Sequence, residues 1–214
     1  METILFSIIQ LLIFFLSVIA HEVAHGAMAE RLGDPTARLA GRLSLNPIRH
    51  LDPIGSIVLP LILFLIGSPV LFGWAKPVPI NPLNFRDKKW GEAKVSIAGP
   101  AINLLIAVVF GLTLRLLPKD ILFLNQGIIP IFSFISLINF VLAFFNLVPI
   151  PPLDGSWILF SFLPPGQNNI KYFLQRYGFI ILLLFLFLGG VNLLYYLSSS
   201  IFGLISGVGI SSFL

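Results

Sequence analysis

The sequence predicts an all-α polytopic membrane protein, with about five to six hydrophobic segments and a small re-entrant β-hairpin or strand region after the first. Two observations predict the membrane class. Of the 214 residues, 57% are hydrophobic and 10% are charged, whereas a soluble domain carries about a quarter charged residues. Several runs also approach or exceed the roughly 18 apolar residues that mark a membrane span. A third observation, prolines and basic residues gathered between the first and third runs, predicts the re-entrant part.

Segment one runs from about Ile4 to Leu32 and should end at Gly33-Asp34-Pro35, a helix stop signal. Val18-Ile19-Ala20 resembles a signal-peptide cleavage site, but the n-region holds Glu2 and no Lys or Arg. That is the wrong sign for a signal, so the segment is expected in the mature protein. Residues 34 to 53 alternate weakly, with Thr36, Arg38, Arg42 and Ser44 against Ala37, Leu39, Leu43 and Leu45, the pattern of a short strand. Segment two, Ile54 to Trp74, is apolar but carries Gly55, Pro60, Gly67 and Pro69. The stretch KPVPINPLNF at 76–85 has three prolines, which forbid a helix and allow an edge strand or hairpin. Segments three, four and five run from about Val95 to Leu117, Ile128 to Val148 and Tyr177 to Leu197. Between the last two lie the turn PIPPLDG, a short apolar piece to Leu163 and the polar loop PPGQNN. No repeat or linker appears, so residues 1–214 are expected to form one membrane-embedded domain.

The net charge is +4, and its placement matters more than its size. Arg31, Arg38, Arg42 and Arg49 fall between segments one and two; Lys76, Arg86, Lys88, Lys89 and Lys94 follow segment two. Only Arg115 and Lys119 lie near the next loop, beside Asp120. Basic residues near span ends favour the cytoplasmic side. Both flanks of segment two are basic, so a dip or helical hairpin turning at Gly67-Ser68-Pro69 is expected rather than a single crossing; non-helical backbone is allowed at membrane depth when protein covers it. The dispersed charge, with few aromatics among it, argues against nucleic-acid binding. With no cysteine in the chain, neither a disulfide nor a thiolate ligand is possible.

The chemistry concentrates in His21-Glu22-Val23-Ala24-His25, inside segment one. Histidines at i and i+4 share a helix face about 6 Å apart and can reach one metal. Glu22, beside the first of them, can approach a metal-bound water as general base. Ionisable groups in a span are costly unless they pair or bind something, which favours a metal site. A catalytic zinc keeps three protein ligands and one open position. The candidates for the third are Asp154 in Pro151-Pro152-Leu153-Asp154-Gly155, or His50 and Asp52 in NPIRHLDPIG. If segment two returns to the side it left, segment three exits and segment four re-enters, and Asp154 arrives at the level of His21 and His25.

HEVAHG at 21–26, together with Asn146-Leu147-Val148-Pro149-Ile150-Pro151-Pro152-Leu153-Asp154-Gly155, resembles the site-2 protease family of intramembrane zinc metalloproteases. Ala98-Gly99-Pro100-Ala101-Ile102-Asn103 also resembles that family's Gly-Pro-x-x-Asn element. The likeness is to the compact members without a PDZ domain. It implies that His21, His25 and Asp154 hold one Zn2+, that Glu22 is the base, and that Asn146 helps hold the substrate or its oxyanion. The implied partners are transmembrane protein substrates within the lipid bilayer; the expected location is the cytoplasmic membrane, and the basic loops after segment one place the active site toward the cytoplasm. A substrate helix must unwind before attack, and its freed backbone needs a partner; Val78 and Ile80 in the proline-rich stretch are candidates to supply it by strand addition. Asn103 either packs and caps between helices or serves the site directly. A different class, a non-catalytic metal-binding membrane protein or metal transporter, needs the ligands but not Glu22. A HExxH protease of another family would need a Glu third ligand, and Glu2, Glu30 and Glu92 lie in no such motif.

Overall fold

The computed structural model of the chain describes residues 2–58, 62, 65–66, 76–118, 127–164 and 166–208. Its helices are α1 (Glu2–Arg31), α2 (Thr36–Leu39), α3 (Gly91–Leu116), α4 (Ile128–Leu147), α5 (Asp154–Phe162), α6 (Asn168–Phe185) and α7 (Val191–Ser206). Four stretches are long and apolar enough to cross a bilayer: Leu5–Arg31, Gly91–Leu116, Ile128–Leu147 and Asn168–Ser206. Their outward faces carry exposed Leu, Ile and Phe, such as Leu11, Leu105, Leu112, Phe179 and Phe187. In water such a surface would drive aggregation; in lipid it is the expected coat. The protein is an integral membrane protein built of helices.

α3 is the central helix, packing against α1, α4, α5 and α7. Ala107 and Leu114 of α3 meet Phe140 of α4 and Phe202 of α7 in one buried cluster. Small residues let these helices approach closely, the usual device where lipid removes the hydrophobic drive between spans. A Cβ on Gly111 would sit 3.0 Å from Ile205 and 3.1 Å from the Ser136 hydroxyl. That hydroxyl donates across the interface to Ala107 O at 2.7 Å.

Segment five is not one helix. The run Asn168–Ser206 is 39 residues, about 58 Å if straight and nearly twice the hydrocarbon thickness. It breaks at Leu188 and Gly189, where Gly189 takes φ 105°, a left-handed value that glycine adopts without strain.

The strand expectations also fail: among the described residues there is no strand. Residues 34 to 53 instead hold α2 and a 3-10 turn, Pro47–His50. Local side-chain bonds stabilise them. The Asp34 carboxylate accepts from Thr36 N, and the Asn46 side chain accepts from Ile48 N ahead of Pro47 at the first helical position. Such bonds offer the backbone an alternative to a ladder. Residues 76–81 form neither helix nor strand, with Asn81 in an extended conformation, and a 3-10 turn, Pro82–Asn84, follows. Prolines 77, 79 and 82 have no N–H, and three of the other amides bond outside the stretch: Lys76 N to His50 O, Val78 N to Glu22 and Asn81 N to Asp34. Most of segment two lies outside the described residues, its turn at Gly67-Ser68-Pro69 included. The chain nevertheless leaves α1 and reaches α3 at one end of the bundle. Arg86 N donates to Leu32 O at 2.8 Å, and Ala29, Phe85 and Val95 form one buried cluster.

Candidate metal centre

His21 and His25 project from the same face of α1 and are buried at 7% and 6% exposure. Each is held through Nδ1. His25 Nδ1 lies 2.7 Å from Val95 O on α3, and a carbonyl only accepts, so this nitrogen carries the hydrogen. His21 Nδ1 lies 2.6 Å from Asn103 Oδ1, also on α3. Both Nε2 atoms are thereby turned toward one point, 3.0 Å apart. Asp154, the first residue of α5, brings Oδ2 to 3.1 Å from His21 Nε2 and 3.2 Å from His25 Nε2.

The position of Asp154 follows from its neighbours. A Cβ on Gly155 would stand 2.3 Å from Leu147 O and 2.5 Å from Val148 O, so only glycine lets α5 start against the end of α4. Ser156 Oγ donates back to Leu153 O at 2.6 Å and closes the first turn. Gly99 plays the matching part on α3. A Cβ there would fall 2.5 Å from His25 Nε2 and 2.6 Å from His21 Nε2, inside the space the three ligand atoms face.

Two imidazole nitrogens and one carboxylate oxygen are a donor set that suits zinc. Two ligands at about 2.05 Å from a tetrahedral zinc stand about 3.3 Å apart. The triangle of 3.0, 3.1 and 3.2 Å is smaller by only a few tenths of an ångström. His21, His25 and Asp154 therefore fit the ion. Among the described residues no other group of three His, Asp or Glu side chains converges in this way.

Glu22 points to the other flank of α1, toward residues 76–81. Its Oε2 accepts from Val78 N at 2.9 Å. Val78 is buried against α1, where a Cβ on Gly26 would lie 2.7 Å from its Cγ1. The far end of this strap is tied to Asp34, whose carboxylate accepts from Asn81 N at 2.7 Å and from Asn84 Nδ2 at 2.8 Å. Burial pushes the Asp34 carboxyl up, but the donors Asn81 N, Thr36 and Asn84 outweigh it and hold it below its ordinary value. Ile80 packs on the Ala29, Phe85 and Val95 cluster instead of facing the histidines.

Asn146 sits in the last turn of α4, half-buried. Its Nδ2 donates to Leu142 O at 2.9 Å, within its own helix, and no hydrogen bond joins it to His21, His25 or Asp154. His50 and Asp52 serve their own loop. His50 is buried and donates from Nε2 to Ser44 O at 2.7 Å, while Asp52 accepts from Ile54 N and Gly55 N. Sequence reasoning passed over Ser17 and Asn139, which extend the bonding behind Asn103. The available signal was a lone Asn in the middle of an apolar span.

Comparison with known proteins agrees with this geometry. Residues 120–185, which include Asp154, match the model for peptidase family M50. The chain is 40% identical over 167 residues to "Putative zinc metalloprotease YwhC" of Bacillus subtilis, an alignment covering 76% of this chain and 73% of that protein. Rip2 of Mycolicibacterium smegmatis, described in the same words, is 30% identical over 84% of this chain and 66% of its own length. "Zinc metalloprotease MJ0392" of Methanocaldococcus jannaschii is 25% identical over 80% of this chain, and the match spans only 39% of that protein. No solved structure matches. The chain belongs to peptidase family M50, the site-2 protease family that its motifs resemble.

Proposed function

We propose that this protein hydrolyses peptide bonds within or near transmembrane segments of other membrane proteins, with zinc held by His21, His25 and Asp154. The observation that carries the reading is the meeting of their three ligand atoms within 3.2 Å, on helices long and apolar enough to span a bilayer. When bound, zinc supplies a coordinated water of lowered pKa and polarises the scissile carbonyl. Glu22 takes the proton of the attacking water and delivers it to the leaving amine nitrogen as the C–N bond breaks and the C–O bond forms. Its present bond to Val78 N marks a resting position. Turning toward the water releases that amide for the substrate backbone, which is how Val78 would take part in strand addition. Asn146 would leave its intrahelical bond to donate to the substrate carbonyl; one such donor is worth about 3 kcal/mol in other hydrolases.

Residues 1–214 act as one domain in this reading. The basic residues that crowd the end of the bundle nearest His21 support a cytoplasmic active site in the cytoplasmic membrane. The chemistry needs a base beside the first ligand, which metal transport does not. The test is Glu22→Gln in purified protein reconstituted with a model transmembrane substrate. Zinc content should stay near one ion per chain while cleavage falls by about a thousandfold or more. Cleavage at the wild-type rate would overturn the mechanism.

A further inference from the structure

Behind the metal centre, three buried polar side chains form a line across three spans. Ser17 of α1, Asn103 of α3 and Asn139 of α4 are exposed by 5%, 0% and 0%. Its bonding has one consistent direction, because backbone carbonyls, which can only accept, fix it. Ser17 Oγ donates its single hydrogen to Ile13 O at 2.9 Å, so toward Asn139 it must accept. Asn139 therefore presents Nδ2 to Ser17 Oγ at 2.9 Å, and the second hydrogen of that nitrogen goes to Ile135 O at 2.8 Å. Its Oδ1 is left facing Asn103, which must present Nδ2 at 2.7 Å. The other hydrogen on that nitrogen is directed at Ser17 O, 3.3 Å away. What remains for His21 Nδ1 is Asn103 Oδ1 at 2.6 Å, a pure acceptor. His21 must then carry its hydrogen on Nδ1 and keep a lone pair on Nε2, the atom that faces His25 and Asp154. Flipping Asn139 would set its Oδ1 against Ile135 O, and flipping Asn103 would set its Oδ1 against Ser17 O and Asn139 Oδ1, leaving buried acceptors unpaired.

We infer that Asn139 is a positioning residue: acting through the Asn103 amide, it locks the tautomer and ring orientation in which His21 can bind metal. The inference rests on the metal-binding reading of His21, His25 and Asp154. Partners behind a metal-bound histidine typically govern 10- to 100-fold in affinity. Asn139 hydrogen-bonds to Asn103, Ser17 and Ile135 O and to none of His21, His25 and Asp154, and the hydrogen bond that reaches the His21 imidazole is made by Asn103.

The test uses the full chain in nanodiscs, with Asn139→Leu, Asn103→Leu, the double variant and Ser17→Ala. Zinc affinity is read by chelator competition, the ligand field by the visible spectrum of the cobalt-substituted protein, and folding by thermal melting. Asn139→Leu should weaken zinc by about 10- to 100-fold, shift the cobalt bands, and lower kcat with little change in KM. The double variant should bind zinc no more weakly than Asn103→Leu alone, since the two side chains act in series. Ser17→Ala removes one hydrogen-bond partner from the line and should weaken zinc by roughly 3- to 5-fold; it decides the matter if Asn139→Leu does not fold. Wild-type affinity and cobalt spectrum in folded Asn139→Leu or Ser17→Ala would overturn the inference, and so would losses that add in the double variant. A His21→Ala variant that kept its zinc would instead overturn the metal reading itself, a failure these measurements tell apart.

Discussion

At the scale of single residues, the centre depends on groups that differ widely in what replaces them. Asp154 is the one anionic ligand among the three, and it arrives from a different helix. Asp154→Ala should lose zinc almost entirely while the bundle remains folded, because the two histidines keep their anchors on Val95 O and Asn103. Metal analysis of the purified variant checks this, and full zinc retention would refute the assignment of Asp154. His21, Glu22 and His25 were legible in the sequence because helical spacing alone puts two imidazoles on one face. Asp154 was legible only in part: residue types alone left His50 and Asp52 open, the charge-based topology pointed to Asp154, and the family resemblance chose it too. Asn139 was not legible. Its partners Ser17 and Asn103 lie 122 and 36 residues away, and no local pattern encodes a bond between helices. For Asn146 the structure shows an intrahelical bond to Leu142 O where the resemblance implied contact with substrate.

At the scale of elements, two backbone approaches set the geometry. α3 can pass the histidines because residue 99 has no side chain. Gly99→Ala would push a methyl to 2.5–2.6 Å from both imidazole Nε2 atoms, closer than real Cβ contacts allow. The imidazoles cannot swing aside without giving up Val95 O and Asn103. We expect zinc affinity to fall at least tenfold, with a smaller change in melting temperature. Unaltered affinity would show that the imidazoles have freedom the structure does not display. The strap at residues 76–81 gives a second case. Its non-helical backbone was legible from its prolines, but its hydrogen-bond partners were not, since they are two carboxylates, on and just after α1, and the His50 carbonyl in place of another strand. Asp34, which receives the strap's far end, is held below its ordinary pKa. A carboxyl with a depressed folded pKa stabilises the fold fully above its unfolded value of about 3.9 and loses that contribution as pH falls through the folded value. Stability should therefore decline below about pH 4, and Asp34→Asn should flatten that decline while costing about 2–3 kcal/mol at neutral pH. Melting curves across pH would check it; an acid limb as steep in Asp34→Asn as in the wild type would place the sensitivity elsewhere. The break at Gly189 belongs to this scale too. Hydropathy reads Tyr177 to Leu197 as one span because an apolar average is blind to a left-handed backbone, although the Gly189-Gly190 pair marked the place.

At the scale of the whole molecule, assembly of the site is a statement about parity. His21 and His25 lie in the later half of α1, Gly99 and Asn103 in the earlier half of α3, and Asp154 just beyond the end of α4. These positions reach one level only if α1 and α3 meet at the same end of the bundle and α4 returns to it. The bond from Arg86 N to Leu32 O ties the first pair together and places the end of α1 and the approach to α3 at one end of the bundle. Basic residues on both flanks of segment two had pointed the same way, since a single crossing would carry one group to the wrong side. The protein has no native cysteine, which makes the parity directly measurable. Arg38→Cys and Lys89→Cys lie at exposed positions before and after segment two, and Gly127→Cys is exposed at the start of α4. With a membrane-impermeant maleimide, positions 38 and 89 should label only in inverted vesicles and position 127 only in right-side-out ones. If 38 and 89 labelled from opposite faces, α1 and α3 could not meet at one end, and Asp154 could not share a level with the histidines. If both labelled from the outer face, the site would close as described but face away from the cytoplasm, and the charge argument for its orientation would fall while the geometric one stood.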